Sequence, residues 1–290
     1  YAGTHGTRLM QKNFDFNSAP PGPGVNTRAR RPYPQYNGVF VSDSHGWLRY
    51  DSLQIKAERR ASKGLYVLGA YTWSKALSNG LRQEITADPG TDYYPILPNP
   101  AADKGYAGNH LKHNFTASFL YQFPLGKGQR FFSSMNPIAD AIVGGWEWNG
   151  IFLAHSGFPL GFSTASNLSG TGIGNRPNMS CSGQLSDSAR TPTQWFDTTC
   201  FATPAAGVLG NSPRTPEVFG PSQFNVDMSL FKNFKITEGS KLQFRSEFFN
   251  IFNHTQLSVP ATTFGTATFG KITATAHSSW GLSGSWAIHI

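Results

Sequence analysis

Residues 50–75 read YDSLQIKAERRASKGLYVLGAYTWSK, and this stretch decides the fold. From Leu53 onward every second side chain is apolar, and the residues between them are mostly polar. This alternation predicts a β-strand with one apolar and one polar face. After Gly64 the alternation resumes from Leu65 to Trp73 on the same odd-numbered positions. The stretch therefore predicts two antiparallel strands joined by a short turn.

The length of this turn is also predictable. Because odd-numbered residues are apolar in both strands, facing positions must sum to an even number, which requires an odd number of loop residues. A three-residue loop followed by Gly64 fits, since that hairpin class needs a left-handed residue after the turn. We expect Gln54, Lys56 and Glu58 to share the opposite, polar face.

Residues 224–252 make the same prediction independently. Apolar and polar residues alternate on both sides of a three-residue turn that contains Gly239. The predicted polar face of this hairpin includes Asn225, Asp227, Gln243, Arg245 and Glu247. Lys232 falls on the apolar positions, so either its side chain snorkels to the interface or a bulge near Phe231 shifts the alternation.

Three more segments alternate in the same way, at residues 115–123, 146–154 and 280–290. The second of these is the least regular, because Ile151 and Leu153 fall on the polar positions. The sequence therefore predicts seven strands, plus a stub of a further strand at Tyr1. It also predicts one short helix from Pro137 to Val143.

The connections between these strands differ systematically in length. The short ones are residues 61–64 and 237–241, with 124–145 of moderate length, and the long ones are 78–109, 163–223 and 255–278. Short and long connections alternate along the chain. This asymmetry is typical of an outer-membrane β-barrel, which has brief periplasmic turns and extended outer loops.

The composition agrees with a membrane β-protein. The 290 residues include 23 Phe, 10 Tyr, 7 Trp and 31 Gly, and only 14% are charged, which is low beside the roughly 25% of soluble domains. A disordered chain and a coiled coil are excluded. No stretch approaches the roughly 18 continuous apolar residues of a transmembrane helix.

The placement of aromatic residues predicts two girdles. From Gly64 to Trp73 a strand tilted by roughly 40° climbs on the order of 23 Å, the height of a lipid-facing band. The outer girdle is predicted at Tyr71 and Trp73, and the periplasmic girdle at Phe131, Phe132, Trp146 and Trp148. The alternative is that these rings form the core of a soluble β-protein.

Sites for chemistry are scarce in the sequence. Cys181 and Cys200 lie in a stretch with no His or acidic cluster spaced for zinc, so a disulfide in an oxidising compartment is favoured and two unpaired thiols are the alternative. His110 and His113 are three residues apart, which places them on opposite faces of a strand. Gly170, Gly172 and Gly174 lack the spacing of a phosphate-binding loop. We expect no enzyme activity, no metal and no cofactor.

Several segments resemble TonB-dependent outer-membrane receptors of the Oar-like, carboxypeptidase-regulatory-domain type. The matching pieces are residues 50–75, Arg31-Pro-Tyr-Pro, Gly144-Gly-Trp, His155-Ser-Gly-Phe-Pro, Asp227-Met-Ser-Leu-Phe-Lys-Asn-Phe and residues 242–254. They occur in the order found in that family and run from Tyr1 to about Ile272. The resemblance therefore covers nearly the whole chain.

The resemblance implies that residues 1–290 are the carboxy-terminal part of one barrel domain of about 22 antiparallel strands in a bacterial outer membrane. In that family an amino-terminal plug fills the lumen and a short box contacts TonB, and we recognise no plug, TonB box or signal peptide in this chain. Members generally finish on an aromatic residue, whereas this sequence finishes on Ile290, so its native carboxy terminus is not established.

The implied function is energy-coupled uptake of a solute, which the sequence does not identify. The implied partners are outer-membrane lipid and lipopolysaccharide, the plug and remaining barrel strands, the TonB complex and the solute. The alternatives are a non-transporting surface or adhesion barrel and a soluble β-rich carbohydrate-binding module. Arg28, Arg30 and Arg31 form a basic run in a proline-rich loop, which argues against nucleic acid and leaves either contact with lipopolysaccharide or a solvated loop.

Overall fold

The computed structural model describes residues 1–24, 27–60, 64–79, 103–166, 168–171, 175–236, 240–276 and 281–289. Of residues 10–15, 40–43, 45 and 281–289 it describes the backbone alone. In chain order the strands are β1 (Ala2–Asp15), β2 (Phe40–Arg59), β3 (Leu65–Ser78), β4 (Gly105–Tyr106), β5 (His113–Gln122), β6 (Trp146–His155), β7 (Ser163–Thr164), β8 (Asn178–Met179), β9 (Phe201–Ala202), β10 (Gln223–Lys235), β11 (Lys241–Phe249), β12 (Thr263–Phe264) and β13 (Gly281–His289). Short 3₁₀ turns occur at Arg28–Arg30, Asp187–Ala189 and Thr198–Cys200.

One large antiparallel sheet dominates the fold. Its strands follow the order β1-β2-β3-β5-β6-β10-β11-β13, with the short β4 paired to the end of β3. Each long strand pairs with the next long strand along the chain, so the sheet is a meander. This confirms the predicted all-β, antiparallel architecture. Within the described ranges β1 and β13 are the two edges, and the sheet does not close.

The registers of both hairpins agree with the parity prediction. Leu53 faces Trp73 and Ile55 faces Tyr71, while Met228 faces Phe248, so facing positions sum to even numbers. Gly64 has a φ of 81°, the left-handed conformation expected after a three-residue turn. The turn residues 61–63 themselves lie outside the described residues.

The outer face of the first hairpin exposes its large apolar side chains. Ile55 is 54% exposed and Trp73 is 52% exposed, and both lie on the odd-numbered positions. A sheet face this apolar needs a covering, and in a membrane β-barrel lipid supplies it. We call the opposite, polar face of the sheet the lumenal face.

The predicted stub at Tyr1 is wrong in extent, because β1 is a strand of 14 residues. It pairs with β2, which begins at Phe40, well before the Tyr50 expected from the sequence. The pairing contains register shifts between Gly6 and Leu9 and beyond. Such bulges insert extra residues and break the period-two pattern, so the alternation that identifies a strand is lost here.

The second hairpin ends earlier than its apolar pattern predicts. Strand β11 ends at Phe249, and Phe252 lies outside it, exposed. Asn250 adopts a left-handed φ of 48°, which turns the chain out of the strand. Its side chain accepts a hydrogen bond from His254 N (3.0 Å) and donates one to His254 O (3.0 Å), so it stabilises the turn that follows.

Lys232 does not mark a bulge, and its side chain is buried on the apolar face. The pairing of β10 with β6 and with β11 passes through Lys232 without a shift, so this residue remains on the apolar face. Its amine lies 5.3 Å from the centre of the Trp146 ring and 5.1 Å from that of Phe234. The amine donates to the carbonyl oxygen of Gly144 beyond the strand end. This contact gives the buried ammonium group a hydrogen-bond acceptor next to the start of β6.

The predicted helix is confirmed as α1 (Pro137–Val143). Asn136 caps it by accepting a hydrogen bond from Ala139 N (2.8 Å), and Pro137 occupies the first turn. No helix in the described part of the chain has the length and apolar character needed to cross a membrane.

Candidate functional site

The connections between strands lie at two opposite ends of the sheet. The connections before and after β3, β6 and β11 define them: residues 60–64, 123–145 and 236–240 lie at the short-turn end, and residues 79–112, 156–222 and 250–276 lie at the long-loop end. Trp73 faces His113 at the start of β5, towards the long loops, whereas Trp146 and Trp148 begin β6 at the short-turn end. The predicted outer and periplasmic girdles therefore lie at opposite ends of the strands.

The eight lumenal candidates fall into two separate groups on the lumenal face. Gln54, Lys56 and Glu58 lie on β2, whereas Asn225, Asp227, Gln243, Arg245 and Glu247 lie on the adjacent strands β10 and β11. Three strands, β3, β5 and β6, separate the groups. On β2 the Lys56 amine lies 3.1 Å from the Glu58 carboxylate, which also pairs with Arg60 at 2.9 Å.

A chain of hydrogen bonds crosses four strands of the lumenal face, and we call it the polar ladder. Glu147 accepts from Gln122 (3.3 Å) and from Asn233 (3.0 Å). Asn233 in turn accepts from Gln243 (2.8 Å), and Gln243 accepts from Arg245 (2.6 Å). Sequence reasoning singled out the last two residues but missed the first three. The sequence shows that these residues lie on the polar face of their strands. It does not show which of them meet, because that depends on the register between strands.

Asp227 performs a different task at the long-loop end of the lumenal face. Its carboxylate accepts from Asn225 (2.9 Å) and from the backbone N–H of Asn250 (2.8 Å). The second bond holds the residue at which the chain leaves β11. Asp227 therefore ties β10 to the start of the last long loop.

Three buried polar atoms on the lumenal face have no hydrogen-bond partner within the described residues: Asn114 Oδ1, Asn149 Nδ2 and Gln223 Oε1. Two of them flank His155, because Asn114 and Gln223 both face that residue in register. Buried polar atoms are nearly always paired in folded proteins. Each of these three atoms therefore needs a partner from water, from another segment or from a solute.

Among the described residues, the main cluster of buried hydrophobic side chains lies in the long loops. Residues 156–222 and 250–276 pack their side chains together, and we call this unit the loop cap. Its buried residues are Leu160, Phe162, Phe196, Cys200, Phe201 and Val218, against which Met179, Trp195, Phe264 and Phe269 pack. The sequence predicts only long connections here, whereas the structure shows a compact aromatic core.

The cap contains the disulfide that the sequence favours. Cys181 and Cys200 are joined, with their Cα atoms 5.2 Å apart. Among the described residues, Asp197 and these two sulfurs form the only cluster of three metal-type ligands. Since both sulfurs are bonded to each other, no thiolate is left to bind an ion.

Two buried arginines join the cap to the sheet. Arg214 donates to the carbonyl oxygens of Asp103 (2.9 Å), Tyr106 (2.9 Å) and Ser78 (3.1 Å). Arg176 forms an ion pair with the Asp103 carboxylate at 2.5 Å, with both side chains buried. These contacts connect the end of β3 and the loop after it to the cap.

Two arginines of the basic run, Arg28 and Arg30, form hydrogen bonds to backbone carbonyl groups. Arg30 donates to the carbonyl oxygens of Pro20 (3.2 Å) and Gly170, and Arg28 donates to Pro34 O (3.0 Å). The Gly170 contact links the connection between β1 and β2 to the cap. Gly170 has a φ of 69° in this contact, while Gly172 and Gly174 lie outside the described residues.

His110 is buried where the loop after β3 returns to the sheet. Its Nδ1 accepts from the backbone N–H of Ala76 (3.2 Å), and its ring stacks on Tyr106 at 4.8 Å between centroids. Burial lowers the pKa of His110 to about 4, and the nearby charges of Lys75 and Lys112 act in the same direction. His113 lies apart from it, bonded to the Tyr71 hydroxyl at 2.8 Å.

We expect this histidine to make the loop cap less stable in acid. Above a pH of about 6.5 the ring is neutral in both the folded and the unfolded chain. As the pH falls towards 4, His110 becomes protonated in the unfolded chain but stays neutral in the folded chain, so the free energy of unfolding decreases. The protection factor of the Ala76 amide, which is corrected for the pH dependence of intrinsic exchange, should fall at least tenfold more in the wild type than in His110→Gln between pH 7 and 5. An equal fall in both proteins would contradict the assignment.

Comparison with known families agrees with this architecture. The model of the outer membrane beta barrel domain matches residues 1–280. No curated protein matches the chain. An antiparallel meander, an apolar outer face and long connections at one end are the features that such a barrel requires. The chain therefore belongs to the outer membrane beta barrel domain family and lies in the bacterial outer membrane.

Proposed function

We propose that residues 1–290 supply part of the barrel wall and the outer loops of a TonB-dependent receptor for energy-coupled solute uptake. The observation that carries the proposal is the lumenal face, with its polar ladder and the unpartnered atoms of Asn114, Asn149 and Gln223. A face of this kind suits a lumen in which a plug, water and a passing solute supply hydrogen bonds. The segments that resemble Oar-like receptors support the same proposal.

The proposal requires parts beyond the described sheet. Because β1 and β13 are unpaired edges, further strands must close the wall before it can span a membrane. A plug and a TonB box are needed as well. A reading frame that encodes neither of them ahead of Tyr1 would contradict transport. No residue is proposed as catalytic, and no cofactor or nucleic acid enters the proposed function.

The test uses the intact protein in its own bacterium. Solutes taken up from a complex medium are measured by mass spectrometry in the wild type, a deletion of this gene and a deletion of tonB. We expect the same solute to be lost in both deletions. Glu147→Ala removes the acceptor shared by Gln122 and Asn233, and we expect uptake to fall about tenfold. Asp187→Ala, a change on the cap surface, is the control.

A non-transporting surface barrel is the second candidate, and the loop cap favours it. A disulfide and a packed aromatic core give the outer loops a fixed surface, as an adhesive protein needs. In that case the gene deletion reduces attachment to surfaces or cells and leaves every solute level unchanged. Membership of the barrel family removes the third alternative, a soluble carbohydrate-binding module.

A further inference from the structure

The connection between β5 and β6 is unusual among those at the short-turn end, which is the periplasmic end of the barrel. It runs through residues 123–145 and contains α1, whereas the other two connections at this end, 60–64 and 236–240, are much shorter. Four of its large apolar side chains are exposed: Phe131, Phe132, Ile138 and Ile142. A periplasmic turn in water has no reason to expose so much apolar surface.

The helix presents its apolar side in a fixed direction. Ile138 and Ile142 are four residues apart and therefore lie on one face, 77% and 67% exposed. Asp140 points the other way, and its carboxylate accepts from the backbone N–H of Lys127 (2.6 Å). Trp146 Nε1 donates to Ile142 O (2.9 Å), which fastens the end of the helix to the girdle. The apolar face is thus held away from the protein.

A cavity of about 720 Å³ opens beside this segment. Its wall includes aromatic rings from the ends of β5 and β6 together with two arginines, one at the end of β2 and one in the connection. The residues that matter here are Arg59, Tyr121, Gln129, Arg130, Phe131 and Trp146. Arg59 lies on the same odd-numbered positions as Leu53 and Ile55, so it belongs to the lipid-facing side.

The charges around the cavity favour an anion. The Arg130 guanidinium lies 5.4 Å from the centre of the Phe131 ring, which orients it without neutralising it. Glu147, the carboxylate in the wall, is already engaged in the polar ladder with Gln122 and Asn233. Arginine binds phosphate through paired N–H donors. Arginines and aromatic rings together at an interface match a lipid headgroup.

We propose that this cavity and α1 bind one anionic phospholipid of the periplasmic leaflet. The phosphate contacts Arg59 and Arg130, the glycerol region lies against Tyr121 and Trp146, and the acyl chains cover Ile138, Ile142 and Phe132. A free phosphate would satisfy the arginines but would leave the apolar face of α1 exposed, and for this reason we assign the site to a lipid. The inference rests on the barrel and its orientation, and it does not depend on solute transport.

The test measures lipid retention by the intact protein in detergent, using native mass spectrometry with phosphatidylglycerol, phosphatidylcholine or inorganic phosphate. We expect one phosphatidylglycerol to be retained at about tenfold lower concentration than phosphatidylcholine. Arg130→Gln and Arg59→Gln should each abolish most of this preference. Ile142→Ser should weaken both lipids. Arg28→Gln, at the opposite end of the barrel, is the matched control and should change nothing.

Three outcomes would overturn the proposal. They are equal retention of the two lipids, an unchanged preference in both arginine variants, and full displacement of the lipid by inorganic phosphate, which would indicate a phosphate pocket. The shift of gel mobility on heating reports whether each variant has folded. Because Arg59 and Arg130 lie on different segments, a folding failure in one variant leaves the other available.

Discussion

Replacing Arg214 by Met should release the loop cap from the end of β3. Arg214 is 2% exposed and donates to the carbonyl oxygens of Ser78, Asp103 and Tyr106. Met fills a similar volume but donates nothing, so three carbonyl acceptors lose a charged partner, and Tyr106 O keeps only its bond from Thr215. We expect the free energy of opening of the cap to fall by about 3–5 kcal/mol. Hydrogen exchange of the intact protein in detergent measures this quantity residue by residue.

Arg190→Met is the matched control for this change. Arg190 lies on the same cap, but its ion-pair partner Asp187 is almost fully exposed, at 3.0 Å. A pair with an exposed carboxylate contributes little, and Arg190 has one carbonyl acceptor, Leu185 O (3.2 Å), where Arg214 has three, so we expect a loss of only about 1 kcal/mol. If both variants lost the same amount, the burial of Arg214 would have no special role. Faster exchange after Arg214→Met should also reach the N–H groups of Ala107 and His110, since they lie in the loop that Arg214 holds.

The strands of the sheet were the predictable part of this fold. In each hairpin the alternation is a local property, because neighbouring side chains on a strand point to opposite faces. Leu53 and Trp73 could therefore be assigned to one face, and parity showed that facing positions sum to even numbers, although it did not determine which residues pair. Where bulges interrupt the pairing, as between Gly6 and Leu9, the same reasoning loses the strand.

The irregular pattern of β6 has a physical origin. Ile151 and Leu153 lie on the lumenal face, where Ile151 sits between Ser118 and Asp227 in register. Both side chains are exposed there. The irregular alternation in the sequence thus reflects an apolar patch on the otherwise polar lumenal face. The apolar residues on the opposite face were still enough to identify the strand.

The loop cap and the polar ladder were beyond prediction for a different reason. Phe162, Phe196 and Phe269 meet in space although they are far apart in sequence, and no periodicity links them. The ladder depends on the register between four strands. The sequence of each strand shows only which of its residues share a face. Contacts that depend on long-range geometry leave no local signal.

Replacing Phe196 by Ala should have a similarly large effect, confined to the loop cap. Phe196 is fully buried, and its ring centre lies 5.0 Å from that of Phe162 and 5.1 Å from that of Phe269. Removing the ring leaves a cavity among aromatic neighbours that cannot all move inward. We expect the opening free energy of the cap to fall by about 3–5 kcal/mol. Phe252→Ala, which removes an exposed ring, should cost less than about 1 kcal/mol.

The positions at which amide exchange accelerates in Phe196→Ala show whether the cap unfolds independently of the barrel. Because its buried core draws no residue from the long strands β6 and β10, the Phe196→Ala variant should keep its heat-modifiable gel mobility. Exchange should quicken for amides within 156–222, such as those of Leu160 and Trp195, and remain slow along β6 and β10. Equal loss of protection in the strands would show that cap and barrel unfold together. The fixed surface proposed for the outer loops would then depend on the wall below it.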